Sequence, residues 1–148
     1  MPLLRVTVTH GAFDVEQTSR LVTALTDAAC RAESVPDDPE RRTRALVLLT
    51  ELAPGRFYSA GFPADEAVAG VFVDWQVSTG VLDGARKERF ARDLHEVVTE
   101  LAGASRLAVS SCVVDEVPEG QWAQNGAIRR LPEVSRIAAF EHLAPIAQ

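Results

Sequence analysis

The stretch Leu4-Arg5-Val6-Thr7-Val8-Thr9-His10-Gly11-Ala12-Phe13-Asp14 recurs 69 residues further on as Val73-Asp74-Trp75-Gln76-Val77-Ser78-Thr79-Gly80-Val81-Leu82-Asp83. In each copy apolar residues (Leu4, Val6, Val8; Val73, Trp75, Val77) alternate with polar ones. That period of two belongs to a strand with one polar face, packed on helices. Asp14 then precedes Val15-Glu16-Gln17, an N-cap with its capping-box partner, and Asp83 takes the corresponding position. The same offset carries Leu21 to Phe90, Leu25 to Leu94, Ala28 to Val97 and Ala32 to Leu101. Spaced i, i+4, i+7 and i+11, these residues form the apolar face of an amphipathic helix. Helices are expected from Val15 to Glu33 and from Gly84 to Ala102.

Downstream of each helix the match continues at an offset of 65, with Thr50-Glu51-Leu52-Ala53-Pro54-Gly55-Arg56-Phe57 against Asp115-Glu116-Val117-Pro118-Glu119-Gly120-Gln121-Trp122. The first copy therefore carries four extra residues. They are placed in Ser34-Val35-Pro36-Asp37-Asp38-Pro39-Glu40, read as a loop because it holds two prolines and three acids. The second strand of each copy, about Arg44 to Glu51 and Leu107 to Asp115, is more continuously apolar, as for an interior strand covered on both faces. Strand, helix and parallel strand make a βαβ unit. Two such units in tandem predict an α/β (α+β) fold: a four-stranded mixed sheet with two helices on one face. The expected organisation is one domain over 1–148, with repeat 1 about 2–61, repeat 2 about 71–126 and a tail 127–148. The helices would cover Val6, Val8, Trp75 and Val77. Ala45, Val47, Leu49, Val109 and Val113 would lie on an uncovered face, which predicts a homo-oligomer. Val134, Ile137, Ala138 and Leu143 suggest a short packing helix between Glu133 and Ala147. Arg5 and Asp74, equivalent positions on the polar faces, are expected to form an ion pair.

The chain has 148 residues and a formal net charge of -6, which argues against a nucleic-acid partner, since that affinity comes from clustered Lys and Arg. Its longest apolar run, Ala45 to Leu49, is far below the roughly 20 residues of a membrane span. No basic segment leads into an apolar stretch of signal-peptide length, and Cys30 and Cys112 lack any CxxC or His pattern. A cytoplasmic protein with two buried thiols is expected. His10, His95 and His142 have no ligand spacing, so no metal is expected. No nucleotide or nucleophile-elbow motif is present, so no cofactor is expected either.

Removal of Met1 would leave Pro2 as a secondary amine at the very start of the first strand. Taken with the duplicated βαβ unit and the Gly11-to-Asp14 turn, this resembles the tautomerase superfamily, whose members use an N-terminal proline as general base or acid. Leu48-Leu49-Thr50-Glu51-Leu52-Ala53-Pro54-Gly55-Arg56-Phe57-Tyr58-Ser59-Ala60-Gly61 resembles the strand and hairpin that end a 4-oxalocrotonate tautomerase subunit. Val113 to Gly126 resembles the matching part of the fused members, such as cis-chloroacrylate dehalogenase and malonate semialdehyde decarboxylase. The resemblance covers about residues 2 to 130 and implies a homotrimer acting on a small carbonyl or 2-oxo acid substrate, with Pro2 catalytic. The offset of 69 puts Val71 where Pro2 stands in the first copy, so each chain has one proline site.

Its relatives hold a substrate carboxylate with arginines in the turn after the first or third strand. Here those turns read Thr9-His10-Gly11-Ala12-Phe13 and Ser78-Thr79-Gly80-Val81-Leu82. The family's strand arginine falls on Leu46 or Ser111, the dehalogenase histidine on Ala29 and its water-activating glutamate on Gln124. Hydration chemistry is therefore disfavoured and proton transfer remains. Phe57 and Trp122, equivalent hairpin residues, are candidates for the pocket or for an interface anchor. Gln124 and Asn125 are candidates to hydrogen-bond a carbonyl or enolate oxygen. Arg129 and Arg130 are candidate carboxylate clamps, and His10 a lesser pocket candidate. The alternatives are a non-catalytic binding or assembly protein on the same scaffold, which the missing arginines favour, and a ferredoxin-like domain, which leaves Pro2 unexplained.

Overall fold

A computed structural model describes residues 2–128 and 130–132. The elements run β1 (Leu3–Val8), α1 (Val15–Ala32), α2 (Pro39–Arg42), β2 (Leu46–Glu51), β3 (Tyr58–Ser59), β4 (Phe62–Pro63), β5 (Val68–Ser78), α3 (Gly84–Ala102), β6 (Leu107–Val117), β7 (Ala123–Gln124) and β8 (Ala127–Ile128). Asp14 caps α1 through a complete capping box with Gln17, and the Asp83 carboxylate accepts the Arg86 N–H at 2.8 Å to cap α3. The segment expected to be a loop holds the start of α2. Asp38 accepts from Glu40 N–H and Pro39 opens the turn, so proline and acid here start a helix rather than exclude one. The helix expected over Glu133 to Ala147 lies outside the described residues.

The main sheet has the order β2-β1-β5-β6. β1–β2 and β5–β6 pair in parallel, and the two units meet along the antiparallel β1–β5 pair. The second strand of each unit is thus an edge strand, not the interior one that its composition predicts. Two of the uncovered-face assignments also change. Val47 and Leu49 are in register with Leu4 and Val6, so they share the helix-covered face, where Val47 packs against the core. The open face instead carries Leu46, Leu48 and Val113, which are 45%, 48% and 57% exposed. Their apolarity is unmatched by burial within the chain, and this is what misleads the interior-strand reading. Arg5 and Asp74 face each other in the register, but among the described residues no ion pair joins them.

The core lies between sheet and helices, with Leu4, Val6, Trp75 and Val77 against Leu21, Leu25, Phe90, Leu94 and Leu101. The Trp75 and Phe90 rings sit 4.4 Å apart, tilted by 40°. At the start of β5, Thr9 ties the two units together. Its N–H donates to Gly70 O at 3.1 Å, its hydroxyl donates to Val68 O at 3.1 Å, and Gly70 N–H donates to that hydroxyl at 3.0 Å. A Cβ on Gly70 would lie 2.9 Å from both the Thr9 methyl and the Phe72 ring. Gly70→Val is therefore expected to destabilise the fold by about 1–3 kcal/mol, read as a lowered urea midpoint with an unchanged slope.

Candidate active site

Pro2 is buried immediately before β1, and its carbonyl accepts the Leu46 N–H at 2.9 Å. It shares the parity of Leu4 and so lies on the helix-covered face. Extending the β1–β5 register one step beyond Leu3 and Gln76 brings Pro2 beside Val77, next to the turn that begins at Ser78. Thr79 N–H donates to Val117 O at 3.0 Å, so the β7–β8 hairpin leaves the sheet at this same end. A cavity of about 360 Å³ lies there, lined by Ser78, Thr79, Val117, Pro118, Trp122 and Leu131 among others. Pro2 does not line it.

Of the candidates named from sequence, Trp122 and Gln124 lie at the Pro2 end of the sheet, each partly buried. Asn125, with φ 50°, and Gly126, with φ 80°, form the turn of the hairpin, so backbone geometry accounts for the asparagine. Phe57 stands at the other end. β2 runs parallel to β1 and ends opposite Val8, a strand length of about 20 Å from Pro2. There the Phe57 ring meets Phe72 at 5.9 Å, and only a second copy of the chain would carry it to a Pro2 site. His10 is also at that far end, where Glu51 lies 3.1 Å from its ring and accepts Gly11 N–H at 2.8 Å. Arg130 is exposed, and Arg129 lies outside the described residues.

Sequence reasoning missed Glu33. It is the C-cap of α1, fully buried, and its carboxylate accepts the Trp75 indole N–H at 3.2 Å. Burial pushes its pKa up, and the Trp75 indole that donates to it acts in the opposite direction. Two signals could have found it. An acid at a helix C-terminus opposes the macrodipole, and the offset of 69 sets Glu33 against the apolar Ala102. Nearby Cys30 is buried, which raises its thiol, with Arg42 acting in the opposite direction. Burial likewise pushes the Cys112 thiol up to about 11, with Asp74 adding to the rise. A second cavity, about 460 Å³, opens beside α1 and includes Cys30, Val35, Asp27 and Arg42. Arg42 is ion-paired there with Asp27 and, at 3.3 Å, with Asp37.

At Val71, the counterpart of Pro2, the chain runs straight on through Val68, Ala69 and Gly70, and Thr9 locks that segment in place. Val71 is fully buried within β5, so its nitrogen is a backbone amide and the second copy has no amine there. Among the described residues no group of His, Cys, Asp and Glu could hold a metal ion, and no helix is long and apolar enough to cross a membrane.

No protein-family model and no curated protein matches this sequence. Solved structures do match in fold. A fused 4-OT forming an asymmetric trimer is 21% identical with a TM-score of 0.65, over 85% of this chain and 94% of the other. The protein Pt0534, solved after inactivation by 2-oxo-3-pentynoate, is 20% identical with a TM-score of 0.66 over the same shares. N1, a member of the cis-3-chloroacrylic acid dehalogenase family, is 19% identical with a TM-score of 0.64, over 99% of this chain and 95% of the other. The chain has the tautomerase-superfamily fold in its fused form, two βαβ repeats sharing one mixed sheet.

Proposed function

We propose that this chain is a tautomerase that interconverts the keto and enol forms of a small carbonyl compound or 2-oxo acid, with Pro2 as general base and acid once Met1 is removed. The observation that carries the reading is the position of Pro2, buried at the head of β1 on the helix-covered face. A free α-amino group has a pKa near 8 and burial lowers an ammonium's value, so the amine can hold or release a proton near neutrality. It takes a proton from the enol oxygen or the adjacent carbon and returns one to the other atom, with no net gain or loss. Trp122 and Gln124 bound the substrate, Gln124 donating its amide to the carbonyl oxygen. Phe57 joins from an assembled neighbour, and Arg129 is the candidate carboxylate clamp. The test is ketonisation of phenylenolpyruvate or 2-hydroxymuconate by protein whose intact mass shows Met1 removed. A rate no higher than buffer rejects the proposal.

The second reading, a binding or assembly subunit on the same fold, is favoured by Ser78-Thr79-Gly80, where related enzymes place arginines. Retention of Met1 in the native protein supports it, because the nitrogen of residue 2 is then an amide.

Either reading includes a homotrimer. The open sheet face and its edges expose Leu46, Leu48, Leu107 and Val113, an apolar surface of the kind that marks an interface, and the similar fused 4-OT structures are trimers. The double variant Leu48→Asp, Val113→Asp places charges on that face without touching the core. It is expected to sediment as a monomer where the parent is a trimer, with helical circular dichroism retained.

A further inference from the structure

We propose that Glu33 is the proton partner of the Pro2 amine, a positioning residue whose buried carboxylate receives the hydrogen bond of the ammonium formed each time Pro2 takes a proton from substrate. The inference rests on the Pro2 reading above and adds to it the group that balances the amine's charge.

Three observations carry it. Glu33 and Pro2 occupy the same end and the same face of the sheet, because Trp75, which donates to Glu33 at 3.2 Å, is the register partner of Leu4, two residues beyond Pro2. Pro2 is itself buried at the head of β1, and removal of Met1 puts the chain's positive amino terminus on its nitrogen. Finally, the pair is asymmetric between the repeats. The offset of 69 sets Glu33 against Ala102 and Trp75 against Val6, both apolar and buried. The acid of repeat 1 and the indole donor that repeat 2 lends it therefore meet only at the end of the sheet that has a proline amine to serve. A structural acid would have no reason to follow the amine in this way, and its burial costs stability unless something compensates it.

Paired in this way, the amine and the carboxylate titrate as one coupled system, whose two protons leave in two macroscopic steps that belong to the pair. The neighbouring groups are accounted for. From α1, Cys30 is a thiol held protonated by burial, and Asp27 is ion-paired with Arg42 of the α2 turn. From α3, Arg86 donates to Ala32 O at 2.7 Å and Ser34 Oγ at 2.6 Å. From β5, Trp75 supplies a neutral donor. When Pro2 takes the substrate's proton, the new N–H⁺ points to Glu33, and the same proton leaves to the product carbon. Glu33 ends each turnover as it began.

The experiment is an NMR titration of Met1-processed protein carrying ¹⁵N-proline and ¹³C-glutamate, with Glu33→Gln beside the parent. Glu33→Gln is expected to lower the amine's pKa by about one unit or more and to remove one of the two limbs of the kcat pH profile. An amine pKa and profile unchanged by Glu33→Gln overturn the inference. Should that variant fail to fold, the parent still decides. Pro2 nitrogen and Glu33 carboxyl signals that share both inflections support the pair, and two independent single-step curves overturn it. The titration needs no substrate, so it separates the two proposals. Uncoupled curves in processed protein sink the Glu33 role alone, whereas Met1 found retained in native protein sinks the Pro2 reading and this inference with it.

Discussion

Pro2→Ala is expected to lower enol ketonisation by at least about 10²-fold, within the 10²–10⁴-fold that a positioned acid–base group supplies. The variant keeps its backbone hydrogen bond to Leu46, since the carbonyl at residue 2 is unchanged, so the thermal midpoint should move little. What it loses is the ring. A secondary amine in a pyrrolidine has φ fixed near -65°, and its lone pair is held in one direction relative to the strand. Alanine leaves a primary amine that rotates and is more heavily hydrated. The two measurements together decide the matter: a rate that falls while the midpoint stays assigns the loss to chemistry. A variant as active as the parent would remove Pro2 from the mechanism and leave the scaffold reading standing.

The fold was legible because the chain states it twice. Gly11 and Gly80, Asp14 and Asp83, and the stripe from Leu21 to Ala32 each have a counterpart, and two weak local signals at one offset make a strong one. The edge strands were misread because composition reports what will be buried without saying by what. Leu46, Leu48 and Val113 are apolar yet exposed, and a single sequence does not distinguish such a position from an interior one. The candidate site was half legible. Pro2 stands out in the sequence as a proline at a strand head, Trp122 as the hairpin counterpart of Phe57 and Gln124 through the family resemblance, and the structure puts all three at one end of the sheet. Phe57 matches Trp122 in sequence, yet the antiparallel β1–β5 junction sends the two hairpins to opposite ends of the sheet. Glu33 was hidden by its place one residue past an apolar stripe, where an acid reads as a solvated helix end. Its burial depends on Trp75, 42 residues away in sequence.

Trp75 carries the second large effect, this time on stability. Its ring is wholly buried, and Trp75→Ala leaves a cavity that costs about 3–5 kcal/mol. The Glu33 carboxylate also loses a donor, at about 1–3 kcal/mol. Against a total of about 5–15 kcal/mol for a domain, this variant is expected to be largely unfolded in buffer, with its helical circular dichroism lost. Trp75→Phe separates the two contributions, because it keeps a ring against Phe90 and removes only the indole N–H. The sign of its pH dependence follows from Glu33. Burial raises that pKa in the folded state above the ordinary 4.5, so the stabilisation it contributes is present below the unfolded value and is lost as pH rises through the folded one. The indole N–H favours the charged carboxylate, and its removal raises the folded pKa further. The gap between Trp75→Phe and the parent, measured by urea unfolding, is therefore smallest in acid, where Glu33 is protonated in both proteins, and widens as pH rises above the ordinary glutamate range. A gap constant from pH 4 to pH 8 would mean that Trp75 acts on Glu33 through packing alone.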